Sequence, residues 1–131
     1  MNTSPTLSAG EIDYLATQRL GRLATVDPAG DPQVNPVSVY YNPLTETLDI
    51  GGHNMANSRK YRNVRANARA AVVVDDIPSS DPLVIRCLEI RGWAEAVDAP
   101  ADSAARVSGP IIRIHPKRVI SWGIADGAMA G

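Results

Sequence analysis

The amino-acid sequence predicts a mainly β protein with short helical insertions, its six or seven antiparallel strands forming a closed or split barrel. Three observations predict it. From Arg22 onward, apolar residues alternate with a period of two or run as short continuous stretches. Turn residues interrupt that pattern at short intervals, as in Asp27-Pro28-Ala29-Gly30 and Asn42-Pro43. Only two stretches carry helical spacing, which supplies too few crossovers for a parallel sheet.

The elements follow in order. Ser8 to Arg19 reads as a helix: Ser8 and Glu11 have capping-box spacing, Ile12, Leu15 and Ala16 make one apolar face, and Gly21 ends it. Arg22 to Val26 is a strand. Val34 to Tyr41 is the next, with an edge or bulge expected at Pro36 because proline has no ladder donor. Leu48 to Gly52 completes an antiparallel meander. Asn57 to Asn67 reads as a second helix, capped by Asn57 or Ser58, with Tyr61, Val64 and Ala68 at helical spacing. Ala70 to Val74 is a strand ending at Asp75-Asp76, and Ile77 to Leu83 is a loop. Val84 to Val97 is a long strand with a bend near Gly92. Asp98 to Ser108 has no clear period. Ile111 to Ile114 and Val119 to Trp122 form a final hairpin across His115-Pro116. One domain spans residues 8–124, and residues 1–7 and 125–131 are expected as flexible termini.

Composition excludes several classes. At 131 residues the chain fits one domain, and with no Phe its core must come from Val, Ile, Leu and Ala. A formal net charge of −1 argues against a nucleic-acid binder. The single cysteine, Cys87, allows no intrachain disulfide and fits a reducing compartment. No stretch approaches the roughly 20 apolar residues of a membrane span, and no leader pattern opens the chain. A cytoplasmic protein without membrane partners is the expectation. His53, His115 and Cys87 lack metal-ligand spacing, so no metal site is expected.

The chemistry concentrates in one segment. Arg59, Lys60, Arg62, Arg65 and Arg69 are five of the 13 basic residues. Arg59, Lys60 and Arg62 fall in or near the first turn of a helix, where the dipole disfavours cations. A bound anion resolves that conflict: helix N–H groups, the Ser58 hydroxyl, the Arg59 fork and the Lys60 ammonium can converge on one phosphate. A solvated basic face is the plainer reading, and it suits Arg62, Arg65 and Arg69. Gly51-Gly52-His53-Asn54 at a strand end either lets a ring or phosphate approach the backbone or is an ordinary turn. Asp75 and Asp76 are either an acid–base pair or a charged strand end.

In this order the segments resemble the pyridoxamine 5'-phosphate oxidase-like superfamily, and its deazaflavin (F420)-dependent branch in particular. The strand around Asn35-Pro36-Val37, the strand ending in Gly51-Gly52, and Ser58-Arg59-Lys60 carry the likeness. So do the stretches from Glu89 to Val97 and from Ile112 to Gly123. The likeness covers roughly residues 8–124.

The resemblance implies a split β-barrel homodimer with cofactor sites at the subunit interface. It assigns the cofactor phosphate to Ser58, Arg59 and Lys60 with Asn57 beside them, and the ring to the strand from Pro36 through Val37 and Ser38 to Val39. Gly52 and His53 line the site, and Trp122 reaches it from the partner subunit. F420, or alternatively FMN, is the implied cofactor. The implied activity is hydride transfer to a small unsaturated or quinone-like substrate, carried by the cofactor, so that no catalytic side chain is named. The chain lacks the C-terminal Arg-Leu-His-type segment of members that oxidise pyridoxamine phosphate. A non-enzymatic cofactor or haem carrier and a nucleic-acid binder using the Arg59–Arg69 cluster are the alternatives.

Overall fold

The alternation of inward Leu23 and Thr25 with outward Arg22 and Ala24 sets the pattern for the barrel: one face of each barrel strand carries the buried apolar residues, and the other is mixed. The computed structural model describes residues 2–102 and 107–125. The elements are β1 (Asn2–Ser4), α1 (Ala9–Thr17), β2 (Gly21–Val26), β3 (Pro32–Asn42), β4 (Thr47–Gly51) and α2 (Arg59–Ala66). They continue with β5 (Arg69–Ser80), β6 (Leu83–Val97) and β7 (Ile111–Trp122). All seven described strands belong to one antiparallel sheet in the order β1-β7-β4-β3-β2-β5-β6, and β6 also pairs with β7. That last pairing closes six strands into a barrel, as expected. Closure leaves few free edges.

The interior is filled by Val, Leu and Ile from every barrel strand, among them Val39, Ile50, Val72, Leu88, Ile90 and Ile114. Tyr14 and Tyr61 from the two helices close it. The helices sit toward opposite ends of β6. Ser8 caps α1 in a full capping box, accepting from the Glu11 N–H at 3.2 Å while the Ser8 N–H donates to Glu11 Oε1 at 2.8 Å. The other Glu11 oxygen accepts the Ser121 hydroxyl at 2.5 Å, which ties α1 to β7. Tyr14 donates to Asp76, which Arg86 also grips.

Pro36 pairs with Arg22 of β2, whereas the β4 ladder begins at Ser38. The proline thus stands where β3 has one strand neighbour, in keeping with the edge expected there.

Three expectations change. Residues 77–83 are mostly strand, not loop. β5 runs on to Ser80, and a bulge between Asp76 and Ser79 lets Ile77 and Pro78 stand outside the ladder. The final hairpin is one strand: β7 runs unbroken through His115-Pro116. Arg118 pairs with Arg91 and Pro116 with Gly92, so Lys117 is the extra residue of a bulge that accommodates the proline. A Cβ on Gly92 would stand 2.1 Å from the His115 carbonyl oxygen, so the bend expected there requires glycine. Residues 2–4 form β1 on Val119–Ser121, within the segment expected to be flexible. A three-residue polar strand carries no periodic signal. Of the C-terminal segment, 126–131 lies outside the described residues, as does 103–106 of the Ala-rich stretch.

Candidate cofactor site

Ser58 ends a short 3-10 turn, Met55–Asn57, and caps α2. Its hydroxyl accepts from the Tyr61 N–H at 3.3 Å and donates to the Met55 carbonyl at 2.6 Å. Both ends of the hydroxyl therefore serve the local fold. The α2 first turn contains no acidic residue, and Arg59 and Lys60 occupy its first two positions, ahead of the helical hydrogen-bond ladder.

Buried contacts fix the helix. Tyr61 is fully buried and donates its hydroxyl to Asp98. Arg65 pairs with the same carboxylate at 2.7 Å and lies over the Tyr61 ring at 5.0 Å. Burial, then the Asp98 hydrogen bond, push the Tyr61 phenol above its ordinary range. The Tyr61 bond and the Arg65 charge hold the Asp98 carboxyl low. Asn63, also buried, donates to Thr25 Oγ1 at 3.1 Å and to Gln33 Oε1 at 2.7 Å. These bonds set α2 against the end of β2 and the start of β3.

The consequence is a cleft of about 480 Å³ between the start of β3 and the first turn of α2, lined by Gln33, Val34, Asn35, Arg59 and Lys60. Two cations and two side-chain amides face it, and no carboxylate does among the described residues. A cleft of this make-up suits a phosphate or carboxylate.

The structure places the expected site residues unequally. Arg59 and Lys60 line the cleft. Asn57 bonds Asn54 at 2.8 Å beside it. Val37 and Val39 point into the core, while Pro36 is exposed and Ser38 half-buried on the outer face. Gly52 and His53 are exposed in the turn after β4. Gly51 has a structural reason: a Cβ there would press on Val107 Cγ1 at 2.8 Å. Trp122, about half exposed, ends β7. It is not among the residues that line this cleft.

Gln33, Val34 and Asn35 were not foreseen as lining residues. Only the pairing of α2 against β3 brings them there, and no local pattern marks it. His115 is not in a turn. Its ring stacks on Trp93 with centroids 3.8 Å apart and planes at 4°, and its Nε2 lies 2.9 Å from Glu95 Oε1. Asp75 and Asp76 are structural ion-pair partners of Arg22 and Arg86. Arg65 anchors the helix, and Arg62 is exposed. No group of three metal-ligating side chains occurs among the described residues. No helix among them is long and apolar enough to cross a membrane.

A family model described as pyridoxamine 5'-phosphate oxidase matches residues 11–127. A 5a,11a-dehydrotetracycline/5a,11a-dehydrooxytetracycline reductase from Streptomyces rimosus is 43% identical over 122 residues, which cover 92% of this chain and 86% of that protein. Among solved structures, a FAD-binding protein from Mycobacterium smegmatis superposes with a TM-score of 0.67 at 21% identity, covering 91% of this chain and 97% of its own. A FAD-binding protein from Mesorhizobium loti gives 0.62 at 22% identity, covering 92% and 99%. These two share the barrel. With the family model over most of its length and a close reductase relative, this chain belongs to the pyridoxamine 5'-phosphate oxidase family and is an oxidoreductase.

Proposed function

We propose that the protein passes a hydride from reduced F420 to a small unsaturated or quinone-like acceptor, as a homodimer with its cofactor at the subunit interface. The observation that carries this reading is the cleft between β3 and α2, where Arg59 and Lys60 meet without a neutralising carboxylate. A coenzyme phosphate suits it: the cations, the amides of Gln33 and Asn35 and the first-turn N–H groups are all donors. The 43% identical relative is named as a reductase of a dehydro compound, an acceptor of the unsaturated class.

The bound coenzyme supplies the hydride. The chain's own residues bind and orient. Lys60 and Arg59 hold the anionic end. The β3 segment from Pro36 to Val39 would face a flat ring with its outer side, Pro36 and Ser38, and is held rigid by the buried Val37 and Val39 side chains. Gly52 and His53 border that surface. Arg62, exposed on α2, suits the further negative charge of the F420 tail. Ser58 acts through the helix, as its cap.

FMN is the second reading, favoured by the flavin named for both barrel neighbours. Titrating the apo-protein with F420 and with FMN, followed by fluorescence, separates them. Tight binding of F420 alone supports the deazaflavin reading, and preference for FMN replaces it. Binding of neither overturns both coenzyme readings and points to a cofactor of another kind, haem included, which a Soret band would reveal. Lys60→Ala should weaken binding of the preferred coenzyme by roughly tenfold or more, the loss of one charge-assisted hydrogen bond. Equal affinity in the variant would overturn the phosphate assignment.

A further inference from the structure

Asn63 does not line the cleft, yet it determines what one wall of the cleft can donate. Thr25 of β2 and Gln33 of β3 stand directly opposite each other in the ladder, so their side chains share one face. Asn63 of α2 reaches both and is itself only 2% exposed. Its Nδ2 group donates to Thr25 Oγ1 at 3.1 Å and to Gln33 Oε1 at 2.7 Å. An amide nitrogen carries two protons, and both are used here.

The second of these bonds has a direction. A glutamine amide has one accepting end and one donating end, and a free one can turn either toward a ligand. Here the accepting end of Gln33 is committed to a buried donor. The Nε2 group is therefore the end left for the cleft that Gln33 lines. Turned round, Gln33 would set its own N–H groups against those of Asn63. Arg59 and Lys60, one helical turn before Asn63, line the same cleft and are donors only. Three lining side chains thus present protons, and none of the three presents a lone pair.

We propose, building on the coenzyme-phosphate reading of this cleft, that Asn63 is a positioning residue of the anion site. It locks Gln33 with its donor end forward, and Gln33 then selects a ligand group that only accepts, such as a fully ionised phosphate. An amide already held in place need not be ordered when the anion arrives, which favours binding.

The test uses inorganic pyrophosphate as probe and the side-chain amide NMR signal of Gln33, identified by its absence in Gln33→Met. A saturable shift of that signal is expected. Gln33→Met should weaken pyrophosphate binding roughly tenfold, the loss of one hydrogen bond to a charged group. Asn63→Leu should weaken it roughly threefold or more, and clearly less when Gln33 is already Met. Its effect on melting temperature should be similar in both backgrounds, because the Thr25 bond and helix docking do not depend on Gln33. Equal losses of affinity in the two backgrounds overturn the proposal and leave Asn63 a purely structural residue. The wild-type chain decides the matter even if Asn63→Leu does not fold: a Gln33 signal that stays still while pyrophosphate binds, or the absence of binding, overturns it. Repeating the titration with F420 and with FMN separates the two readings. Pyrophosphate held through Gln33 with neither coenzyme bound sinks the coenzyme reading and leaves the positioning role standing. A coenzyme that binds without moving the Gln33 signal sinks the positioning role alone.

Discussion

Asp49 and Arg113 are the ionic residues most committed to the interior. Arg113 donates to Asp49 through Nε at 3.0 Å and to Asp102 through an amino group at 3.0 Å, while Asn42 and Thr47 donate to the same Asp49 carboxylate. Burial by itself would raise the Asp49 carboxyl, but the bonds from Arg113, Asn42 and Thr47 outweigh it and hold the group below its ordinary range. Removing one partner leaves the other charge buried and poorly matched. Asp49→Asn should therefore cost about 3–5 kcal/mol, measured by urea unfolding. Lys60 is the contrasting residue: it lines a cleft and holds no comparable structural role. Its substitution should leave that unfolding curve in place while lowering coenzyme affinity.

Among the elements, α2 is the one on which site and stability meet. Its cap, its Tyr61–Asp98–Arg65 anchor and its Asn63 bonds all set the direction of the first turn. Ser58→Ala removes the bond to the Tyr61 N–H and should cost about 1 kcal/mol. Coenzyme affinity, measured under conditions where the variant is folded, should change less than in Lys60→Ala. A larger loss of affinity than stability would give the Ser58 hydroxyl a direct phosphate contact. The β6–β7 pair is the other sensitive element. Gly92→Ala places a Cβ against the His115 carbonyl, a backbone atom with no room to yield. A drop of more than about 2 kcal/mol is expected in thermal or denaturant unfolding.

Across the whole molecule, pH links these networks. Asp49, Asp76 and Asp98 all lie below the ordinary carboxylate range, Asp76 chiefly through its Arg86 hydrogen bond. The unfolded chain takes up protons at these groups more readily than the folded one. The stability they contribute is thus complete above their unfolded value of about 3.9 and is lost as pH falls through their lower folded values. Melting temperature should be level between about pH 5 and 7 and fall steeply below about pH 4. Tyr14 and Tyr61 are raised, chiefly by burial. Their contribution holds below about pH 10 and fades as pH rises beyond it. Sedimentation should find a dimer if the cofactor lies between subunits. Trp122 and the exposed Leu83 and Ile85 are apolar surface available to such a contact.

Local pattern alone determined much of this protein. Period-two alternation marked β2, β3 and β4, the Ser8–Glu11 spacing marked the α1 cap, and the misplaced cations of α2 singled out Arg59 and Lys60, which line the cleft. Each is a property of residues near one another in sequence, where propensity, capping and helix-dipole effects operate. Pairing decided the rest. Pro78 and Pro116 read as chain breakers, yet a bulge beside each keeps β5 and β7 continuous, because the neighbouring strand still satisfies the ladder. Gln33 and Asn35 joined the cleft, and Arg91 came to oppose Arg118, only when distant strands met in register. Register is set by which faces bury together in the closed barrel, a condition on the whole chain that no short window contains.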